Sequence, residues 1–249
     1  MTRKTALVTG ASTGIGAAAA VLLAKAGYDV AIGYRSDEKG AAEVANRAEA
    51  AGAKAVLIQA DLSRPEGVEK LFTEFDAAFA ALDALVNNAG VVDVATRVED
   101  MTAERLNRMF DTNLIGPFLV AGQAVRRMST KHGGSGGAIV NISSAAARLA
   151  SANLYVDYAA SKAGIDILTR GLADEVAAEG IRVNGIRPGL IITPIHGKGG
   201  DPERAERLAY MVPMKRTGTA EEVGEAIVWL LSDKASYVTG TTMDVSGGR

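Results

Sequence analysis

Residues 5–27 read TALVTGASTGIGAAAAVLLAKAG. An apolar, β-branched run ends in a cluster of glycines and an alanine-rich run follows, so the stretch reads as strand, loop and helix in succession. In that context the glycines have separate tasks. Gly10 permits a tight turn, Gly14 lets the backbone approach a ligand, and Gly16 lets the helix lie close on a sheet. The N–H groups and dipole at the helix start then face a pyrophosphate. With Ser12, Thr13 and Ile15 these glycines form a candidate dinucleotide loop. Similar spacing also marks plain tight βα turns, so the rest of the chain has to decide.

Working outward, short apolar runs at 4–9, 28–34, 54–60, 83–87, 137–143, 181–187 and 241–245 alternate with helical patterns at 14–26, 38–51, 65–80, 102–130, 155–179 and 219–232. That alternation predicts βαβ crossovers and a parallel sheet covered by helices on both faces, in a single domain over 1–249. The most irregular stretch, 188–218, carries Gly197, Gly199, Gly200 and several prolines, and reads as a substrate lid. Asp201 and Pro202 form an N-cap and N1 pair for a short helix near 201–211.

Hydrophobic residues make up 48% of the 249 positions and the net charge is -2, with the cations scattered. No basic stripe points to nucleic acid, so a small-molecule substrate is the expectation. The absence of cysteine removes disulfides, thiolate nucleophiles and thiolate metal sites, and is compatible with a cytoplasmic location. Residues 5–24 carry no charge, but the glycines and hydroxyls in their midst argue against a membrane span, and a signal peptide cleaved beyond Gly10 would remove the loop. A soluble, unprocessed protein is expected. His132 and His196 lack metal-ligand spacing and read as surface residues, so no metal is expected.

The stretch 154–164, LYVDYAASKAG, sets two tyrosines before one lysine. On a helix, residues four apart are direct neighbours, which pairs Tyr158 with Lys162; Tyr155 lies about 10.5 Å along the axis from the lysine. A free tyrosine has a pKa of about 10. A unit charge at ~4 Å in an effective dielectric of ~20 is worth about 4 kcal/mol, or roughly three pKa units, enough to make Tyr158 a base near neutrality. Taken alone, the pair also fits two packing rings and a solvated charge.

Together TGASTGIG at 9–16, NNAG at 87–90, IVNISS at 139–144, YAASK at 158–162 and RPG at 187–189 resemble the classical short-chain dehydrogenase/reductases, in that family's order and across nearly the whole chain. The resemblance implies a Rossmann-type doubly wound sheet of about seven strands, a nicotinamide cofactor and a catalytic set of Asn113, Ser144, Tyr158 and Lys162. Ser143, the other serine of the pair, is assigned to the strand end. In this set Tyr158 is the acid or base, Ser144 bonds the reacting oxygen, Lys162 tunes the tyrosine and holds the nicotinamide ribose, and Asn113 holds a water leading to Lys162. Read by itself, Asn113 is equally a helix-kinking residue. The resemblance extends the cofactor site to Leu62, Asn88, Ala89, Gly90, Pro188, Gly189, Ile191 and Thr193, the last toward the carboxamide. Asp61 contacts adenine or caps the next segment. It also implies a homotetramer, for which helices 102–130 and 155–179, with small residues such as Ala159, Ala160 and Ala163, provide pairing surfaces.

The second strand ends Gly33-Tyr34-Arg35-Ser36 with no acid until Asp37. A strand-end carboxylate selects NAD, whereas a planar cationic fork suits a 2′-phosphate. Arg35 and Ser36 therefore point to NADP(H), with NAD(H) the alternative. The reaction expected is hydride transfer between nicotinamide and an alcohol or carbonyl compound. Resemblance to 3-oxoacyl-carrier-protein reductases and to sugar dehydrogenases is equally good. A nucleotide-sensing regulator without turnover is the competing function, and it leaves the Ser-Tyr-Lys set without purpose.

Overall fold

The inner strands are buried on both faces, which explains why their middles read as apolar runs instead of alternating ones. The computed structural model describes residues 3–249 apart from Pro202, and leaves the side chains of His196, Lys198 and Arg204 outside the description, so the reading of His196 and the Asp201–Pro202 capping pair lies beyond it. The strands are β1 (Lys4–Val8), β2 (Tyr28–Tyr34), β3 (Ala55–Gln59), β4 (Ala84–Asn87), β5 (Gly137–Ile142), β6 (Ile181–Pro188) and β7 (Thr242–Val245). They form one parallel seven-stranded sheet in the order β3-β2-β1-β4-β5-β6-β7 among the described residues.

The helices are α1 (Gly14–Lys25), α2 (Glu38–Ala50), α3 (Pro65–Ala78), α4 (Ala103–Phe110), α5 (Gly116–Met128), α6 (Ala146–Leu149), α7 (Val156–Val176), α8 (Ile195–Lys198), α9 (Arg204–Arg207) and α10 (Ala220–Leu231). Successive strand residues point to opposite faces, so Ala6 and Val8 join one core with α1, α2 and α10, while Leu7 joins the other with α3, α5 and α7. The expected helix 102–130 is interrupted: a π-helical turn, Asp111–Ile115, joins α4 to α5. The lid helix is shorter than expected, Arg204–Arg207 followed by a 3-10 turn at Ala209–Met211, and α6 went unread in the sequence.

Strand order reverses between β1 and β4. In an open parallel sheet this leaves a crevice outside the strands' carboxyl ends, where ligands bind. No described helix is long and apolar enough to cross a membrane.

Candidate active site

The crevice opens into a cavity of about 680 Å³. At one end, β1 turns through Gly10 (φ 62°) and Gly14 (φ 58°), a left-handed conformation that favours glycine. A Cβ on Gly10 would lie 2.9 Å from Ala89 Cα, and one on Gly16 would lie 2.4 Å from the Gly10 carbonyl oxygen, so both glycines are required by close packing. Thr9 Oγ1 accepts from the N–H groups of Asn88 (2.9 Å) and Ala89 (3.0 Å), and Asn88 Nδ2 donates to the carbonyls of Thr9 (2.8 Å) and Gly10 (3.0 Å). These bonds clamp the loop after β1 to the loop after β4. Thr13 offers α1 no side-chain cap and the first turn holds no acid, so its leading amides are open to an anion. That cradle fits a pyrophosphate.

Beside it, Arg35 is exposed at the end of β2 with its carbonyl accepting from Gln59 Nε2 (3.0 Å). Asp37, the nearest acid, caps α2 by accepting from the Gly40 N–H (3.0 Å). Asp61 accepts from the N–H (3.1 Å) and hydroxyl (2.8 Å) of Ser63 and lines the cavity, while the cap position of α3 falls to Arg64. Burial raises its carboxyl pKa, but the Ser63 bonds and the nearby Arg35 and Arg64 charges hold it below the usual value.

Beyond β5 stands the other half of the site. Ser143 is buried and its hydroxyl donates to the Lys162 carbonyl (3.0 Å), while Ser144 faces the cavity and accepts from the Ala146 N–H (3.1 Å). Burial pushes the Tyr158 phenol up, and a hydrogen bond with Ser144 draws it partly back. Lys162 is 4% exposed, its Nζ donates to the Ile142 carbonyl (2.8 Å) and lies 5.7 Å from the Tyr158 ring centre. Burial lowers its pKa to about 8 against the opposing charge of Asp166. The tyrosine thus responds first to desolvation and then to serine, rather than to lysine as the helix spacing predicted.

Asn113 sits in the π-helical turn, wholly buried, and latches the loop after β4: its Oδ1 accepts from the Val91 N–H (2.8 Å) and its Nδ2 donates to the Val91 carbonyl (2.8 Å). A Cβ on Gly90 would lie 3.3 Å from Asn113 Oδ1 and 3.4 Å from Lys162 Nζ, so Gly90 separates the two. Asn113 and Gly16 are the expected site residues that support the cavity from behind; the others line it.

Two contributions escaped the sequence. Tyr155 is buried, and its hydroxyl donates to the Gly199 carbonyl (3.3 Å), which fastens the lid to the start of α7. Asp157 is paired with Arg105: Nε donates to Oδ2 (2.7 Å) and Nη2 to Oδ1 (3.4 Å), while Arg105 Nη1 holds the Val94 carbonyl (2.6 Å). Asp157 Oδ1 also accepts from the Tyr158 N–H (2.9 Å). Between Ser144 and Tyr158 the chain bends through left-handed Ala150 (φ 60°), Ser151 (φ 52°) and Asn153 (φ 59°), a conformation that costs L-residues roughly 1–2 kcal/mol each. His132 is exposed at the end of a 3-10 turn, and no group of three or more metal-binding side chains converges among the described residues.

A family model described as enoyl-(acyl carrier protein) reductase matches residues 10–249. The uncharacterized oxidoreductase YgfF of Escherichia coli (strain K12) is 56% identical over 98% of this chain and 99% of its own. Two crystal structures share the fold. A 3-ketoacyl-(acyl-carrier-protein) reductase from Brucella melitensis, complexed with NADH, has a TM-score of 0.89 at 31% identity, covering 99% of this chain and 98% of that one. A short chain dehydrogenase from Burkholderia cenocepacia J2315, in complex with NADP, has a TM-score of 0.90 at 32% identity, covering 98% and 97%.

Proposed function

We propose, for a chain that belongs to the short-chain dehydrogenase/reductase family, an NADP(H)-preferring oxidoreductase that interconverts a carbonyl compound and its alcohol. The observation that carries the reading is the meeting, in one cavity, of the Ser144–Tyr158 hydroxyl pair and Lys162 with an uncapped helix start. A pair of hydroxyls directed at an oxygen suits C=O and CH–OH chemistry better than the enoyl double bond in the family model's description.

The bound nicotinamide supplies or accepts the hydride. Gly10, Ser12, Thr13, Gly14 and Ile15 with the amides of α1 hold its pyrophosphate, and Lys162 holds the ribose next to the reacting carbon. In the direction of reduction, Ser144 fixes the substrate oxygen by a hydrogen bond. The carbonyl carbon receives the hydride, and the oxygen takes its proton from Tyr158, leaving an alcohol and a tyrosinate. Lys162, when protonated, stabilises that tyrosinate by its charge. The tyrosinate is then reprotonated from solvent, with the Asn113 latch keeping Val91 and Gly90 in register beside Lys162. Oxidation runs the same steps backwards.

Solved relatives carry NADH in one case and NADP in the other. What supports NADP(H) here is local: Arg35 stands exposed at the end of β2 on the cavity wall, and Asp37 is occupied as a helix cap. We also propose association, to a tetramer, through Ile115, Phe118 and Leu119 of the π turn and α5 and Ile167 of α7, all exposed apolar residues. Ala159 is buried within the chain, so the pairing surface proposed here rests on the exposed residues instead. Light scattering that returns a monomer at micromolar concentration contradicts the tetramer.

The function is tested at 340 nm against ketone and alcohol panels with both cofactors. Tyr158→Phe is expected to abolish turnover while NADPH still binds by fluorescence titration. Near-normal turnover by that variant would overturn the assignment.

A further inference from the structure

The proposed reaction leaves its substrate unnamed, and the cavity wall beyond Tyr158 restricts the choice. Moving away from Ser144, that wall is built by Val92, Leu149, Leu154, Tyr155 and Ile195. The charged residues lining the cavity are Arg35, Asp37 and Asp61 at the ends of β2 and β3, Lys162 beside the tyrosine, and Arg249. The substrate half therefore contains no carboxylate side chain. The cavity's one carboxamide, Asn88, is already bonded to Thr9 and Gly10. Tyr155 is directed at the Gly199 carbonyl, and outside the Ser144–Tyr158 pair, the phosphate loop and the end of β2 the unburied lining adds few hydroxyls, those of Ser151, Thr112 and Thr193. The apolar surface continues outward, with Leu149 at 48% exposure, Ile192 at 53% and Val94 at 58%. Val94 borders the lid, its Cγ1 lying 3.9 Å from where a Cβ on Gly200 would sit.

Such a surface discriminates by desolvation. A hydroxyl buried without a partner weakens binding roughly 5- to 150-fold. A sugar or other polyol brings four or more hydroxyls besides the reacting one, and even the low end of that range, compounded, is on the order of 600-fold. An apolar body of similar size loses nothing of this kind and gains from each square ångström it covers. Arg249 is held at the wall by its carbonyl, which accepts from Ser246 Oγ (2.7 Å) and Arg148 Nη2 (3.3 Å). No carboxylate side chain lines this half to pair with a substrate's cationic far end, whose burial among Leu149, Leu154 and Ile195 is costly.

Resting on the oxidoreductase reading, we infer that the substrate is a bulky apolar ketone or secondary alcohol, its body against Leu149, Leu154, Tyr155 and Ile195 and its oxygen at Ser144 and Tyr158. Polyols and amines are excluded.

The test uses the full chain with saturating NADP(H), comparing 2-decalone and its alcohol with glucose, an amino ketone and an acetoacetyl thioester. The expected result is a kcat/KM for decalone at least several hundredfold above that for oxidation of glucose, and above the thioester. Leu149→Asn, at a half-exposed site that tolerates a polar residue, is expected to raise the decalone KM about 10-fold with NADPH affinity unchanged. Binding is measured separately, by calorimetry of decalone and glucose on cofactor-loaded Tyr158→Phe protein. Decalone bound but never turned over by the wild type sinks the reaction and keeps the site. Faster turnover of glucose, the amine or the thioester sinks the substrate class and keeps the reaction. Failure of decalone to bind overturns the inference outright.

Discussion

Replacing Asp157 with alanine leaves Arg105 buried and unpaired one residue before the proposed proton donor. The side chains of Arg105 and Asp157 are 10% and 0% exposed, so bulk solvent does little to screen the stranded guanidinium. At about 4 Å between charge centres and an effective dielectric of ~20, the lost attraction is about 4 kcal/mol, in line with the 3–5 kcal/mol typical of breaking a buried pair. For a chain of this length each kcal/mol moves the unfolding midpoint by roughly 2–4 °C, so Asp157→Ala should lower Tm by roughly 6–20 °C. Differential scanning calorimetry reads this directly. Turnover per folded molecule should also fall, because the Tyr158 N–H loses its acceptor and Arg105 loses the anchor from which it holds Val94. The double variant Arg105→Met with Asp157→Leu separates causes: if the cost is the stranded charge, the apolar pair recovers most of the lost stability. A single variant within 2 °C of wild type, or a double variant less stable than the single, refutes the reasoning.

Three other outcomes follow from the site. Charge-assisted contacts of about 1.5–3 kcal/mol mean that Arg35→Ala should weaken NADPH roughly 10- to 150-fold in fluorescence titration and hardly affect NADH; equal losses for both cofactors would remove Arg35 from the 2′-phosphate. Lys162 has its pKa lowered from the usual 10.5 to about 8 in the folded chain. Between those values the unfolded chain holds the extra proton, so this residue makes stability rise with pH. Urea midpoints of wild type and Lys162→Met should therefore diverge from pH 8 to 10.5 in the wild type's favour, and a constant difference would contradict the assignment. Tyr155→Phe removes the 3.3 Å bond to the Gly199 carbonyl of the lid, so kcat and KM should each stay within about threefold of wild type; a collapse of kcat would mean Tyr155 does chemistry.

The sheet was legible because a parallel strand covered on both faces needs an apolar middle, which ALV in β1, VAI in β2, ALV in β4 and AIV in β5 supply, whereas β6 intersperses Arg182, Asn184 and Arg187. The cofactor loop was legible because Gly10, Gly14 and Gly16 are demanded by backbone geometry, which leaves its mark on residue type. Ser144, Tyr158 and Lys162 came from spacing and resemblance together. The π-helical turn left no such mark: DTNLI keeps helical residues in helical order, and one extra residue per turn changes no periodicity that a window can detect. The Arg105–Asp157 pair joins positions 52 apart through burial that neither neighbourhood announces. Lys162 was expected to govern Tyr158 because helix spacing gives proximity, but it says nothing of desolvation, which acts on both groups and in opposite directions.

The clamp between Thr9 and Asn88 joins residues 79 positions apart, and this has a consequence for the growing chain. At about 5–20 residues per second, the glycine loop leaves the ribosome roughly 4–16 s before the segment that closes it. In that interval β1 has β2 to pair with and α1 to cover it, but nothing holds the Thr9 and Gly10 carbonyls in place. The pyrophosphate cradle is therefore expected to take its final shape only once β4 enters the sheet beside β1. A nascent chain stalled before residue 83 carries the whole glycine motif without the clamp that shapes it, and is expected to retain no nucleotide.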